Sequence, residues 1–276
     1  SSLLFIPWHF PLEKDRTITG ASAVAEQKLQ NLYPELYSHL KNHHKGLSTR
    51  NQSETGIRYE WYALQRCAAS YFEQFDETKI IWPLTADQWG FALDNNQHYL
   101  TSGGFFLVSE KYSLKTLLAI LNSKVLEYYF RFIGVMTAGG AYTLKKATIE
   151  LLPIATTEKT KSFENLVDYL LFVLSNKKEI SDHVSNSHIA QLFEEVANAM
   201  VMELYFKEDF EKAGIEFIKY IERDFESIEG KSEDEQIEII HNAYQKLREK
   251  DNEIRNNLKL MDIKLADIVM PIKTVK

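Results

Sequence analysis

Glycine, proline and tryptophan are spread so unevenly along this chain that it cannot be one kind of structure throughout. Residues 1–156 hold all four tryptophans, nine of the eleven glycines and five of the six prolines. Glycine and proline punctuate the backbone, so this part predicts short helices and strands joined by turns. Residues 157–276 hold two glycines and one proline, and their apolar residues recur at the three- and four-residue steps of helices. The fold class that follows is α+β: a mixed α/β domain over 1–156, then an all-α helical region over 157–276 with a long heptad-patterned helix. The boundary falls near "LLPIATTEKTKS", where Pro153 ends one element and a polar stretch precedes the next helix.

Within the first part, "GASAVAEQKLQNLYPELYSHLKNHH" is helical, with Pro34 starting a second helix because proline is tolerated in a first turn. "YEWYALQRCAASYF" fits another helix. "KIIWPL", "WGFALD" and "FFLVS" have the aromatic and β-branched composition of strands, with "DNNQ" and "TSGG" as turns between them. "SLKTLLAILNSKVLEYYFRFIG" returns to a helical period that Asn122-Ser123 can break, Ser123 capping a second helix. "ATIELLPI" reads as a closing strand.

In the second part, "FENLVDYLLFVLSNKKEI", "SHIAQLFEEVANAMVMELYF" and "DFEKAGIEFIKYIERDF" carry helical apolar stripes. Ile237, Ile240, Tyr244, Leu247, Asp251, Ile254, Leu258, Met261, Leu265 and Ile268 then alternate steps of three and four. This predicts one long helix stopped before Pro271. Its seam either packs within the chain's own bundle or forms an intermolecular coiled coil; flanking helices able to cover it favour the bundle.

The single cysteine, Cys67, excludes an internal disulfide and fits a packed thiol in a reducing, cytoplasmic setting. No apolar run approaches the roughly 20 residues needed to span a bilayer, and "SSLLFIPWHF" lacks the layout of a signal peptide. Neither membrane nor leader is expected.

Known catalytic signatures are missing. "TAGGAYTLKK", residues 137–146, has two glycines near two lysines, yet a phosphate loop needs glycine, lysine and Ser or Thr in a different order. No G-x-G, G-x-S-x-G or H-E-x-x-H string occurs. No asparagine precedes two prolines, so the usual adenine-methyltransferase tetrapeptide is absent, and the short E-x-K strings lack an upstream acidic ligand. His39 and His43 lie one helical turn apart, but no Cys or carboxylate cluster accompanies them, which favours a solvated helix end over a metal site. The chain by itself is expected to hold no catalytic residue, no metal and no cofactor.

The net charge of −7 argues against a nucleic-acid partner only until it is divided. Residues 1–156 carry 15 basic and 14 acidic side chains, a net of +1; the remainder carries 17 and 25, a net of −8. The first part therefore permits a basic face. It also holds side chains that read base edges and phosphates: Arg pairs with guanine, Asn or Gln with adenine, and Ser, Thr and Lys position the backbone. The candidate DNA-binding residues are Arg58, Gln65, Arg66, Gln88, Asn95, Asn96, Thr137, Tyr142, Thr143, Lys145 and Lys146. Trp61 and Trp82 are expected in the core. In "TAGGAYTLKK" the glycines suit a tight turn that presents the residues after it, or a plain loop entering the next element.

"YEWYALQR", "KIIWP", "LLAILNSKVLEYYF" and "GGAYTLKKATIELLPI", in that order over roughly residues 55–156, resemble the TaqI-like C-terminal specificity domain. This is the target-recognition domain of type II restriction-modification enzymes that join endonuclease and adenine methyltransferase in one polypeptide. The resemblance implies that this chain reads a sequence in double-stranded DNA and holds the duplex. It also implies that methyltransferase and endonuclease domains, with S-adenosylmethionine and Mg2+, lie outside this chain, on the same polypeptide or a partner subunit. The parent would then flip and methylate an adenine at N6. "LNSK" would be scaffold, and the reading residues would sit in loops. A competing expectation is a helical assembly module whose heptad helix binds a partner subunit without touching DNA.

Overall fold

The computed structural model describes residues 4–65, 72–100 and 103–274. They form two compact units, Ser1–Thr78 with Asn96–Tyr99, and Lys79–Asn95 with Leu100–Lys276.

The first unit contains α1 (Ala23–Leu32), α2 (Pro34–Asn42), α3 (His44–Ser48) and a 3-10 turn at Phe72–Phe75. Ser22 opens α1 by accepting from the Ala25 N–H at 3.2 Å, and Pro34 takes the first position of α2, as the sequence predicts. The segment expected as a third long helix from Tyr59 is irregular over residues 59–65, and the rest of that expectation, with Arg66 and Cys67, lies outside the described residues. The reason is burial. Tyr59, Glu60, Trp61, Tyr62 and Ala63 are buried in succession, which a helix with one core face cannot achieve. Their carbonyls find partners outside a helix: Tyr59 accepts from the Gly56 N–H at 2.8 Å, and Arg50 donates to the carbonyls of Trp61 (3.1 Å) and Ala63 (2.9 Å). The buried Glu60 carboxylate in turn accepts the backbone N–H groups of His9 and Ser22, both at 2.8 Å.

The second unit opens with β1 (Lys79–Pro83), β2 (Thr85–Ala86), β3 (Ala92–Asp94) and β4 (Gly104–Leu107). It continues through α4 (Leu114–Leu121), α5 (Lys124–Ile133), β5 (Val135–Met136), β6 (Tyr142–Thr143) and α6 (Lys146–Ile149). Two antiparallel three-stranded sheets result, ordered β3-β1-β4 and β2-β6-β5. In the first, Lys79 stands opposite Asp94, and their side chains form a buried ion pair at 2.7 Å. Trp82 ties the sheets together: its indole N–H donates to the Leu144 carbonyl at 3.0 Å, while the Leu144 N–H donates to Leu84 at 2.8 Å.

"LNSK" is a double cap. Asn122 ends α4, and its side-chain amide makes two bonds with the Phe91 backbone at 2.8 and 3.0 Å. Ser123 is the N-cap of α5. The "ATIELLPI" segment is not a strand: α6 occupies its first part. Ile149 and Leu152, three residues apart, are buried while Leu151 is exposed, a helical rather than an alternating period.

Seven helices complete the unit: α7 (Thr160–Ser175), α8 (Asn186–Tyr205), α9 (Lys207–Ala213), α10 (Ile218–Asp224), α11 (Glu233–Arg248), α12 (Glu253–Lys264) and α13 (Ala266–Lys273). They share one hydrophobic core with α4, α5 and the sheets. The heptad stretch is three helices rather than one. Asn252 caps a new start by accepting from the Arg255 N–H at 3.0 Å, and Leu265 separates α12 from α13. The seam is nonetheless the buried face: Ile240, Tyr244, Leu247, Ile254 and Met261 all lie in the unit's own core. Pro271 does not stop the chain but sits inside α13, where Val269 and Ile272 on either side are buried. No helix is long and apolar enough to cross a membrane among the described residues.

Candidate nucleic-acid interface

The glycine pair of "TAGGAYTLKK" lies at the tip of a β5–β6 hairpin. Gly134 makes its entry possible, because a Cβ there would fall 2.1 Å from the buried Phe130 ring. Val135 then pairs with Thr143 and Met136 with Tyr142. The tip closes through Thr137: its N–H donates to the Ala141 carbonyl at 2.8 Å, and its hydroxyl accepts from the Ala141 N–H at 3.1 Å. Gly140 has φ of +84°, the left-handed region where glycine is favoured. The glycines therefore turn the chain, and residues 137–140 are exposed.

The hairpin rests on a buried polar pair. The Tyr142 hydroxyl donates to Glu127 Oε1 at 2.6 Å and accepts from Arg131 at 3.2 Å. Lys124 Nζ lies 2.7 Å from the other Glu127 oxygen. Burial raises the Tyr142 phenol above its usual range, and the neighbouring Glu127 carboxylate adds to this. Tyr142 is thus the foundation of the hairpin rather than part of its exposed surface.

Several other predicted residues gather at the same small sheet. Thr143 pairs with Thr85 and Tyr142 with Ala86, so the chain running on to Gln88 heads toward the hairpin tip. Gln88 is exposed, and the adjacent Trp89 is anchored by an indole bond to the Leu121 carbonyl at 2.7 Å and an edge contact with Tyr142. Lys145 and Lys146 follow at the opposite end of β6 from the tip, both exposed. Lys146 lies 3.6 Å from Glu150, whereas Lys145 has no ion-pair partner among the described residues.

The remaining predicted residues belong to other segments. Asn95 is exposed at the end of β3, and Asn96 is an exposed residue of the first unit. Arg58 and Gln65 also belong to the first unit. Arg58 is exposed, bonded to Glu54 at 2.8 Å with its guanidinium 5.4 Å from the Trp8 ring; Gln65 is half-buried. Trp61 and Trp82 are core residues, as expected. The sequence reading passed over Glu127 and Arg131. Their four-residue spacing on α5, on the face that meets Tyr142, was the available signal. Among the described residues no group of three or more His, Cys, Asp or Glu side chains is placed to hold a metal ion.

Residues 27–154 match the family model of the TaqI-like C-terminal specificity domain. The match takes in part of α1, all of α2, both sheets and the hairpin, and begins upstream of residue 55, where the sequence resemblance starts. Over that segment the chain is similar to this family. No curated protein matches the chain.

Proposed function

We propose that this chain is the sequence-recognition portion of a DNA restriction-modification enzyme, with residues 1–156 reading the duplex and residues 157–276 acting as a helical spacer. The observation that carries the reading is the TaqI-like match over residues 27–154. The hairpin supports it, because a small sheet there displays a solvent-facing loop, the arrangement in which a scaffold presents recognition residues, and exposed Lys145 and Lys146 follow the same strand. In this reading Gln88 and Thr137 face base edges, Thr143, Lys145 and Lys146 face the phosphates, and Tyr142 holds the loop from beneath. Methyltransferase and endonuclease domains of the same polypeptide, or of a partner subunit, supply the chemistry and hold S-adenosylmethionine and Mg2+. The parent is an adenine-N6 methyltransferase linked to a nuclease. The assembly-module reading has less to rest on, because the heptad seam it needs is packed inside the second unit.

Titrating the chain with duplex DNA over a range of salt tests the reading. Binding whose logarithm falls linearly with the logarithm of salt, and which weakens when Lys145 and Lys146 are both replaced by Ala, supports it. Failure to bind any duplex at low salt counts against it.

A further inference from the structure

We propose that Arg131 is a DNA-contacting residue, held by Tyr142 so that its guanidinium meets paired acceptors on the duplex; this rests on the DNA-recognition reading above. Arg131 lies in the last turn of α5, where the carbonyl end of a helix favours a cation. That position accounts for a positive charge but not for a fixed orientation.

The orientation comes from a chain of bonds. Lys124 neutralises the buried Glu127 carboxylate, Glu127 accepts from the Tyr142 hydroxyl, and that hydroxyl accepts from Arg131 Nη2. Because Lys124 already compensates Glu127, the arginine is not needed to balance a buried charge. Arg131 is itself exposed and has no carboxylate partner among the described residues. A guanidinium has five N–H donors in a rigid fork, and this bond uses one. What remains is a fixed cation with an open fork beside the hairpin strand that carries Thr143. Phe132, next to it in the chain, and Val135, on the strand that pairs with Thr143, are exposed as well. The chemistry it fits is a pair of closely spaced oxygen or nitrogen acceptors, found on a DNA phosphate and on the O6 and N7 edge of guanine.

The test uses the whole chain and a pool of duplexes with a randomised central stretch. Wild-type chain, Arg131→Ala, Arg131→Lys and Tyr142→Phe are compared for affinity, salt slope and selected sequence. Arg131→Ala is expected to bind about 5- to 100-fold more weakly. If the contact is a phosphate, Arg131→Lys restores most of the affinity, and the salt slope of Arg131→Ala is shallower by about one. If it is guanine, both substitutions relax one position of the selected sequence, because lysine lacks the planar fork. Tyr142→Phe is expected to behave as a positioning change, relaxing selection or affinity while the salt slope stays near wild type. An Arg131→Ala chain that melts, binds and selects like wild type overturns the inference and leaves the DNA reading standing. A wild-type chain that retains no duplex overturns both.

Discussion

The Tyr142 hydroxyl donates to Glu127 Oε1 at 2.6 Å, joining the hairpin strand β6 to helix α5. Replacing Tyr142 by Phe keeps the ring but leaves a buried carboxylate oxygen without that donor. A loss of about 1–3 kcal/mol is expected in denaturant unfolding, the penalty of an unsatisfied buried acceptor. Unchanged stability would mean that the carboxylate finds another donor or reaches water.

The phenols of Tyr62, Tyr142, Tyr169 and Tyr205 are all raised from an ordinary value of 10.0, in each case first by burial. A raised folded value means that the folded state holds the proton more tightly than the unfolded chain does. The associated stability is fully present below pH 10 and is lost as pH rises from there toward the folded values. Unfolding free energy measured at increasing alkalinity should therefore decline above about pH 10. Tyr169→Phe should flatten that decline; an identical slope in the variant would contradict the assignment.

Lys79 and Asp94 face each other across β1 and β3 with almost no solvent exposure. Asp94→Ala takes a buried ion-pair partner from Lys79 and should destabilise the chain by about 3–5 kcal/mol. The paired change Lys79→Met with Asp94→Leu should recover part of that, because both charges of the ion pair are then removed together. Thermal melts of the single and double variants check both outcomes.

Much of the scaffold was legible because local chemistry and tertiary packing agree there. Pro34 starts α2, Ser123 caps α5, and the aromatic runs at Lys79–Pro83 and Gly104–Leu107 are strands. The misreadings occur where a periodic pattern reported burial without reporting backbone form. Five consecutive buried residues from Tyr59 looked like a helix, yet their backbone is irregular and Arg50 holds two of its carbonyls. The heptad from Ile237 correctly marked a buried seam, but a capping Asn252 divides it. "ATIELLPI" has the β-branched residues of a strand, while Ile149 and Leu152 bury at a helical step. At the candidate interface, "TAGGAYTLKK" was legible as a turn. The role of Tyr142 was not, since only the fold brings Glu127 beneath it.

Under the proposed function, the Gln88 segment and the β5–β6 hairpin choose the DNA sequence on which the parent enzyme acts. The most direct measurement is methylation-site sequencing of DNA from cells expressing the full-length protein, with and without substitutions at Gln88 and at residues 137–146. The account predicts an adenine-methylation motif in the wild type and a changed or relaxed motif in the substituted forms. An unchanged motif in substituted proteins that remain folded and active would contradict it.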